Sequence, residues 1–429
     1  MAVGLLLRPT ARDSLVPYLF LFLAGSLVAI QAARSLSASG RGFLLLCGAL
    51  LRATLLWRQP DLSDDVHRYL WDGRVARAGI SPYAYAPDDP ALSRVDPALR
   101  ARVAHRDIRT VYPPVAQAVF RVFGGGGNLF LLKSFLAAAD LAIVALLWSS
   151  GGRGNAFAAA LYAFHPLPVT EIAGEGHVDA LGAALLFSSL LFAASGRRAA
   201  SGLALALSIM TKYVAMAAAL PIFRRGRAAC VISALALSSV LWLWAARVAR
   251  PAGGLGQFAT RWDFNSVLYP AAVRVMEASR LPDTAKDLFI EWKDRRNPPW
   301  AQRVFPYFYP EFFARVLLGG ILGAFLLFVA VRVPDPEKAA FVSLGALLLF
   351  SPTFYPWYLV WILPLAARRR DPAFLYLSFA IPISYALAFP LPGVPASLVL
   401  GLEYVPFAVF LSTSLGLFRS ARAAGVIAS

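Results

Sequence analysis

Apolar runs of about 16 to 22 residues recur along this chain, and each is long enough, or nearly so, to cross hydrocarbon as a helix. They lie at 15–33, 42–57, 128–149, 155–172, 178–195, 229–247, 313–331, 338–351, 355–367, 372–389 and 395–418. Inside a bilayer every backbone polar group must find its partner within the protein, which favours helices for runs of this length. A water-soluble core could not absorb them. The chain is 59% hydrophobic and only 15% charged, where globular proteins sit nearer one half and one quarter. The expectation is an all-α polytopic membrane protein, formed as one membrane-embedded unit over residues 1–429.

The first run, "SLVPYLFLFLAGSLVAIQAA", follows Arg8 and Arg12 as a signal peptide would. Its length and the many spans behind it favour a retained helix. Cys47 and Cys230 both lie in apolar runs and read as small buried hydrophobes, not as a disulfide. The net charge of +17 comes from basic residues scattered through short loops, with no basic stripe set among exposed aromatics. That pattern fits positive-inside bias and contact with anionic lipid, and argues against nucleic acid.

Sidedness follows from the basic loops. "RRGR" (224–227), "RVPDPEK" (332–338), "RRRDP" (368–372) and the tail "RSARAAG" hold most of the Lys/Arg excess and are placed inside. Two long segments, 58–112 and 248–312, then fall outside, together with the turns at 173–177 and 351–356. The N-terminus also comes out external, against the mild pull of Arg8 and Arg12. The run 200–222 is bracketed by basic residues at both ends, so it is expected to be a hairpin broken near "MTKY". Within the first long loop, "VHRYLWDGRVARAG" has helical spacing and suggests an amphipathic helix on the outer membrane surface.

Four features could carry chemistry. "SDDVHRYLWDG" (63–73) sets Asp64 and Asp65, near Asp61, at the lip of a span. A carboxylate flanked by apolar surface gains proton affinity and can act as a general base. Alternatively the pair could hold a divalent cation, Mg²⁺ or Mn²⁺, or Ser63 or Asp64 could simply cap the following helix. "EIAGEGHVDALG" gathers Glu171, Glu175, His177 and Asp179 in an outer turn; there they could bind substrate, or serve as solvent-exposed caps. "VYPPVAQAVF" and "SPTFYPWYLVW" bring Tyr112, Tyr355, Trp357 and Tyr358, suited either to a sugar ring or to an aromatic belt. The second long loop supplies Arg261, Lys293, Arg295, Arg296 and Arg303 as cations for a phosphate, while Lys212 interrupts an apolar stretch and needs a partner. No P-loop, HExxH or GxSxG motif is present.

In this order, the segments resemble membrane-embedded GT-C glycosyltransferases that use polyprenyl-phosphate sugars. They are most similar to the bacterial polyprenol-phosphate-mannose-dependent α-mannosyltransferases and glycosyltransferase family 87. The resemblance rests on "SDDVHRYLWDG", "AGISPYAYAP", "TVYPPVAQAVF", "GEGHVDALG", "TKY" and "SPTFYPWYLVW", across residues 58 to 365. It implies eleven to thirteen helices and catalysis on the outer face of a bacterial cytoplasmic membrane. It also puts the first-loop acid on Asp65, through Ser63, Asp65, Val66 and Tyr69, with Asp64 as a neighbour. Donor would be a polyprenyl-phosphate sugar, commonly mannose, with arabinose or glucose as variants, and acceptor a glycolipid or polysaccharide. Asp65 would deprotonate the acceptor while Arg68, Arg261 and Lys212 stabilise the leaving phosphate. The rival class is a transporter or flippase using the acids as a relay. Acids gathered at span ends, without an internal repeat, argue against it.

Overall fold

The computed structural model describes residues 15–36, 40–151, 153–246, 253–296 and 298–425, so Arg8 and Arg12 lie outside the described residues. The described chain is helical throughout, with one isolated parallel bridge between Phe264 and Thr353. Among the described residues, four helices are long and apolar enough to cross a membrane: Leu15–Leu36, Leu129–Ser149, Pro310–Arg332 and the stretch Ala396–Ser414. Their large outward side chains, such as Phe20, Leu23, Val316 and Leu327, have no protein cover and suit contact with lipid. Shorter apolar helices fill the space between them. The main hydrophobic core draws on residues from Leu15 to Phe407, with two smaller clusters around Tyr269 and Trp71.

Small residues let these helices approach closely, which is the main source of attraction between helices in lipid. A Cβ at Gly182 would lie 2.1 Å from Trp361, and one at Gly202 would lie 2.2 Å from the carbonyl of Cys230. Proline opens several helices, at Pro310, Pro336 and Pro372, where its missing N–H costs nothing. Asp335 and Asp371 cap the last two by accepting backbone N–H bonds.

The expected hairpin is present. Helix Arg198–Ile209 ends at a break around Lys212, and a 3-10 turn, Tyr213–Ala218, leads into the helical segment Ala219–Ala246. That segment cannot be a straight rod, because a rod would hold Trp242 about 35 Å from Ala219. Instead the rings of Tyr213 and Trp242 lie 6.3 Å apart, so the chain folds back at "RRGR". Arg224 donates to the carbonyls of Ala330 and Val331, and Arg368 pairs with Glu337 at 3.1 Å, so three basic segments meet at one end. The helix Pro336–Phe350 runs from that basic end to a cavity at the other.

The first-loop helix, Asp65–Arg77, corrects an expectation. It is no surface helix: Val66, His67, Tyr69, Leu70, Trp71, Asp72, Gly73 and Val75 are buried. Gly73 permits this, since a Cβ there would lie 2.1 Å from the carbonyl oxygen of Phe120 in the π-helical turn Phe120–Gly124. Its polar side chains are paired inwards. Arg68 donates to Asp72 at 2.9 Å, and Gln117 donates to the other Asp72 oxygen at 2.9 Å. Cys230 is buried as expected, Cys47 is half-buried, and both are free thiols.

Candidate active site

A cavity of about 510 Å³ opens at the end opposite the basic segments, within the range of small-molecule sites. Its wall includes Asp64, Asp65 and Arg68 from the first loop, Tyr112 and Lys212, and the aromatic turn Tyr355, Trp357 and Tyr358. Seven residues proposed from sequence are therefore brought together with Asp64 around one space. Arg261 is not among them. It is exposed and pairs with Asp107 at 3.0 Å, although Leu255 of its own helix, Gly253–Arg261, and the following Trp262 both line the cavity. Lys293 and Arg295 likewise pair locally, with Asp294 and Glu291. The side chain of Arg303 lies outside the described residues.

Asp65 begins the first-loop helix, and its backbone N–H donates to Ser63 Oγ at 3.2 Å. Asp64 occupies the N-cap position but makes no capping hydrogen bond with its side chain. The capping explanation thus belongs to Ser63 alone. The Asp65 side chain is 38% exposed, and the space it meets is the cavity rather than bulk water. Burial pushes its carboxyl above the ordinary carboxylate range; Asp179 and Asp64 add to this, while Lys212 and the Tyr112 hydroxyl oppose it. Tyr112 donates to Asp65 Oδ2 at 3.3 Å.

The segment before Asp65 is pinned by Glu175. Its Oε2 accepts the backbone N–H groups of Asp61, Leu62 and Ser63 at 3.1, 2.9 and 3.1 Å. Burial raises the Glu175 carboxyl to about 7, with Asp61 adding, against the pull of the Leu62 and Ser63 N–H groups and Arg58. Lys133, in helix Leu129–Ser149, donates to the carbonyls of Leu55 and Arg58 at 2.8 and 2.6 Å and so closes the end of the preceding helix.

The cluster 171–179 is buried, which removes the alternative of solvent-exposed caps: Glu171, His177 and Asp179 are each 0% exposed. A π-helical turn, Val169–Gly174, and the left-handed Gly176 (φ +82°) fold it under the first loop. A Cβ at Gly176 would lie 3.1 Å from Val66. His177 and Asp179 consequently stand behind the residues that line the cavity. Asp179 accepts from Lys212 at 2.8 and 3.1 Å and from the Trp361 indole at 2.6 Å. Lys212 thereby gains the partner it required, and its ammonium also lies 4.3 Å from the centre of the Tyr358 ring.

A column of stacked rings crosses the site. Phe264 stacks on Tyr355 (4.6 Å), Tyr355 on Trp357 (4.5 Å), and Trp357 on His177 (3.8 Å). Phe264 is fixed from below, donating to Pro352 O at 3.0 Å and accepting from Phe354 N at 2.8 Å. Neighbouring Asn265 donates to the buried Glu403 at 2.8 Å, so the second loop is fastened at this point to the C-terminal helices.

Some cavity residues escaped the sequence reading. Arg109 lies on the wall and makes no ion pair among the described residues. His105 and Trp262, one from each long loop, meet edge to face at 4.4 Å and also line it. No pattern in the sequence marked them, because their meeting depends on how two distant loops fold together. As for a cation at Asp64 and Asp65, no group of three or more His, Cys, Asp or Glu able to hold a metal exists among the described residues. Asp64 and Asp65 thus stand as two carboxylates without a third such ligand, and no step below passes through a metal.

Two carboxylates, several cations and stacked aromatics around one cavity suit transfer of a sugar from an anionic leaving group. Comparison with known families decides the class. A model described as "alpha-(1->6)-mannopyranosyltransferase, N-terminal domain" matches residues 15–225, and one described as "MptB C-terminal domain" matches residues 311–418. The chain belongs to that mannosyltransferase family. Together the two models cover about three quarters of it, and both contribute residues to the cavity wall. The chain is thus a membrane-embedded mannosyltransferase of the GT-C type, which displaces the transporter reading. No curated protein and no solved structure matches it.

Proposed function

We propose that this mannosyltransferase takes mannose from a polyprenyl-phosphate donor and adds it, with inversion, to a hydroxyl of a glycolipid or polysaccharide on the extracytoplasmic face of a bacterial cytoplasmic membrane. The observation that carries this reading is Asp65, a carboxylate of raised proton affinity on the wall of a sugar-sized cavity. The acceptor hydroxyl gives its proton to Asp65 as its oxygen bonds to the anomeric carbon from the face opposite the phosphate. The bond from that carbon to the phosphate oxygen breaks, and charge develops on the leaving polyprenyl phosphate. Arg68, Arg109 and Lys212 line the same space and are the groups that would stabilise that charge. Tyr355, Trp357 and Tyr358 offer faces for the sugar.

A lipid-borne donor accords with a cavity set among helices whose outer faces are apolar. The clustering of "RRGR", "RVPDPEK" and "RRRDP" at the opposite end supports an outward-facing cavity. The family description adds a linkage: an α-(1→6) product would mean a primary hydroxyl as acceptor.

The test is an assay of purified protein in lipid nanodiscs with polyprenyl-phosphate mannose, arabinose and glucose and with nucleotide-mannose. The proposal requires transfer from polyprenyl-phosphate mannose with inverted anomeric configuration. Transfer from the nucleotide sugar alone, or with retained configuration, would overturn it.

A further inference from the structure

His177 is a strongly polar side chain near the base that the reaction above leaves unused. It is fully buried, and neither ring nitrogen has a hydrogen-bond partner. A buried imidazole without partners is costly, so its position calls for a reason. Nδ1 faces Asp65 Oδ2 at 3.8 Å, and Nε2 faces Glu171 Oε2 at 3.5 Å. The ring lies between two carboxylates and cannot turn freely, because it is stacked at 15° on Trp357, which is backed in turn by Tyr355 and Phe264. Its backbone is also fastened to the same acid, through a hydrogen bond from its N–H to Glu171 O at 3.1 Å.

We propose that His177 is a positioning residue for Asp65: with Tyr112 it engages Oδ2, leaving Oδ1 as the oxygen that meets the acceptor hydroxyl. This rests on the reading of Asp65 as the base. Both Tyr112 Oη and His177 Nδ1 converge on Oδ2. Tyr385 donates to Glu171, 3.0 Å from each of its oxygens, and the proposal requires the ring proton to be carried on Nδ1 and directed at Asp65. Burial, with Lys212 adding, holds His177 well below the ordinary imidazole range, so the ring acts as a neutral donor. Asp65 is also faced by Asp64 on its own segment, by Lys212 and Asp179 from the hairpin side, and by Tyr112. Of these, His177 and Tyr112 are the neutral donors, and so the groups able to orient the carboxylate without cancelling its charge. The proposal requires the gap of 3.8 Å to close when substrate fills the cavity.

The experiment compares His177→Leu, His177→Gln and Asp65→Asn in nanodiscs, with folded protein quantified by size-exclusion chromatography. Steady-state rates are taken against polyprenyl-phosphate mannose across pH. His177→Leu should lower kcat by about tenfold to a hundredfold through misplacement of the base, with donor KM changed less than twofold. His177→Gln, which keeps an N–H donor on a side chain of similar reach, should recover most of that loss. Loss of a donor to the charged carboxylate should also move the acid limb of kcat/KM to higher pH in the Leu variant. Equal losses in the Leu and Gln variants, or an unmoved acid limb, would reduce His177 to packing and overturn the proposal. An active Asp65→Asn enzyme would instead bring down the base assignment, which separates the two failures.

Discussion

Two buried clusters of charged and polar side chains lie within the same core, and they spend their hydrogen-bonding capacity differently. In the first, Arg52 donates to Asp140 at 2.5 Å and to the carbonyls of Gly48 and Ala163, while Tyr162 donates to the other Asp140 oxygen at 2.6 Å. One Arg52 nitrogen, Nη2, is left over. In the second, Asp65, His177 and Glu171 stand 3.5 to 3.8 Å apart, and both imidazole nitrogens are unpartnered. The first cluster is sealed among helices, whereas the second backs onto a cavity. A closed network fixes helix positions; the open one, behind the cavity wall, leaves imidazole nitrogens facing Asp65 and Glu171. Burial of charge alone therefore does not tell the two clusters apart; the cavity beside the second does.

That contrast can be broken by experiment. The largest effect is expected at Asp140→Leu, which strands Arg52 as a buried unpaired cation. Stability should fall by about 3–5 kcal/mol, read as a lower Tm in detergent, with activity lost only in proportion to folded protein. If Asp140→Leu instead kept its Tm and lost turnover, the division of labour between the clusters would be wrong.

A smaller effect is expected at Glu175, which resembles the sealed cluster in its bonding but stands beside the open one. Glu175→Leu removes the acceptor of three backbone N–H groups, a cost of about 1–3 kcal/mol. Its pH dependence has a definite sign. The folded-state value of about 7 exceeds the ordinary glutamate value near ~4.3. The protonated form therefore contributes stability that is fully present below that ordinary value and is lost as pH rises through about 7. Glu175→Gln should flatten the fall of Tm between mildly acidic and mildly alkaline buffer. An unchanged slope would show that another group sets it.

Much of this was legible in the sequence, for reasons that differ by region. Apolar runs translate directly into helices, because lipid leaves the backbone no other partner. The break at Lys212 followed from basic residues at both ends of one run, and the fold-back at "RRGR" bears out the same logic. The gathering of Asp64, Asp65, Arg68, Tyr112, Lys212, Tyr355, Trp357 and Tyr358 was reachable through an ordered resemblance. Depth was not legible. Helical spacing in "VHRYLWDGRVARAG" shows which residues share a face but not what covers it, so the closure permitted by Gly73 went unseen. The glycines around His177 suggested an exposed turn, where Gly176 in fact bends the chain inwards. Arg261 and Arg109 were exchanged for a related reason. Both are exposed arginines in long loops, and only the packing of one loop on the other decides which reaches the cavity. A Cβ at Gly254 would lie 2.3 Å from the Arg109 carbonyl, which shows how tightly that packing is drawn.

The central claim is that Asp65 removes the acceptor proton, and the most direct measurement is single-turnover transfer by Asp65→Asn with donor binding measured in parallel. The amide keeps the shape of the carboxylate but cannot take the proton. The account predicts a rate lower by about a thousandfold, with donor Kd within about twofold. A variant that transfers mannose within tenfold of the wild-type rate would contradict it.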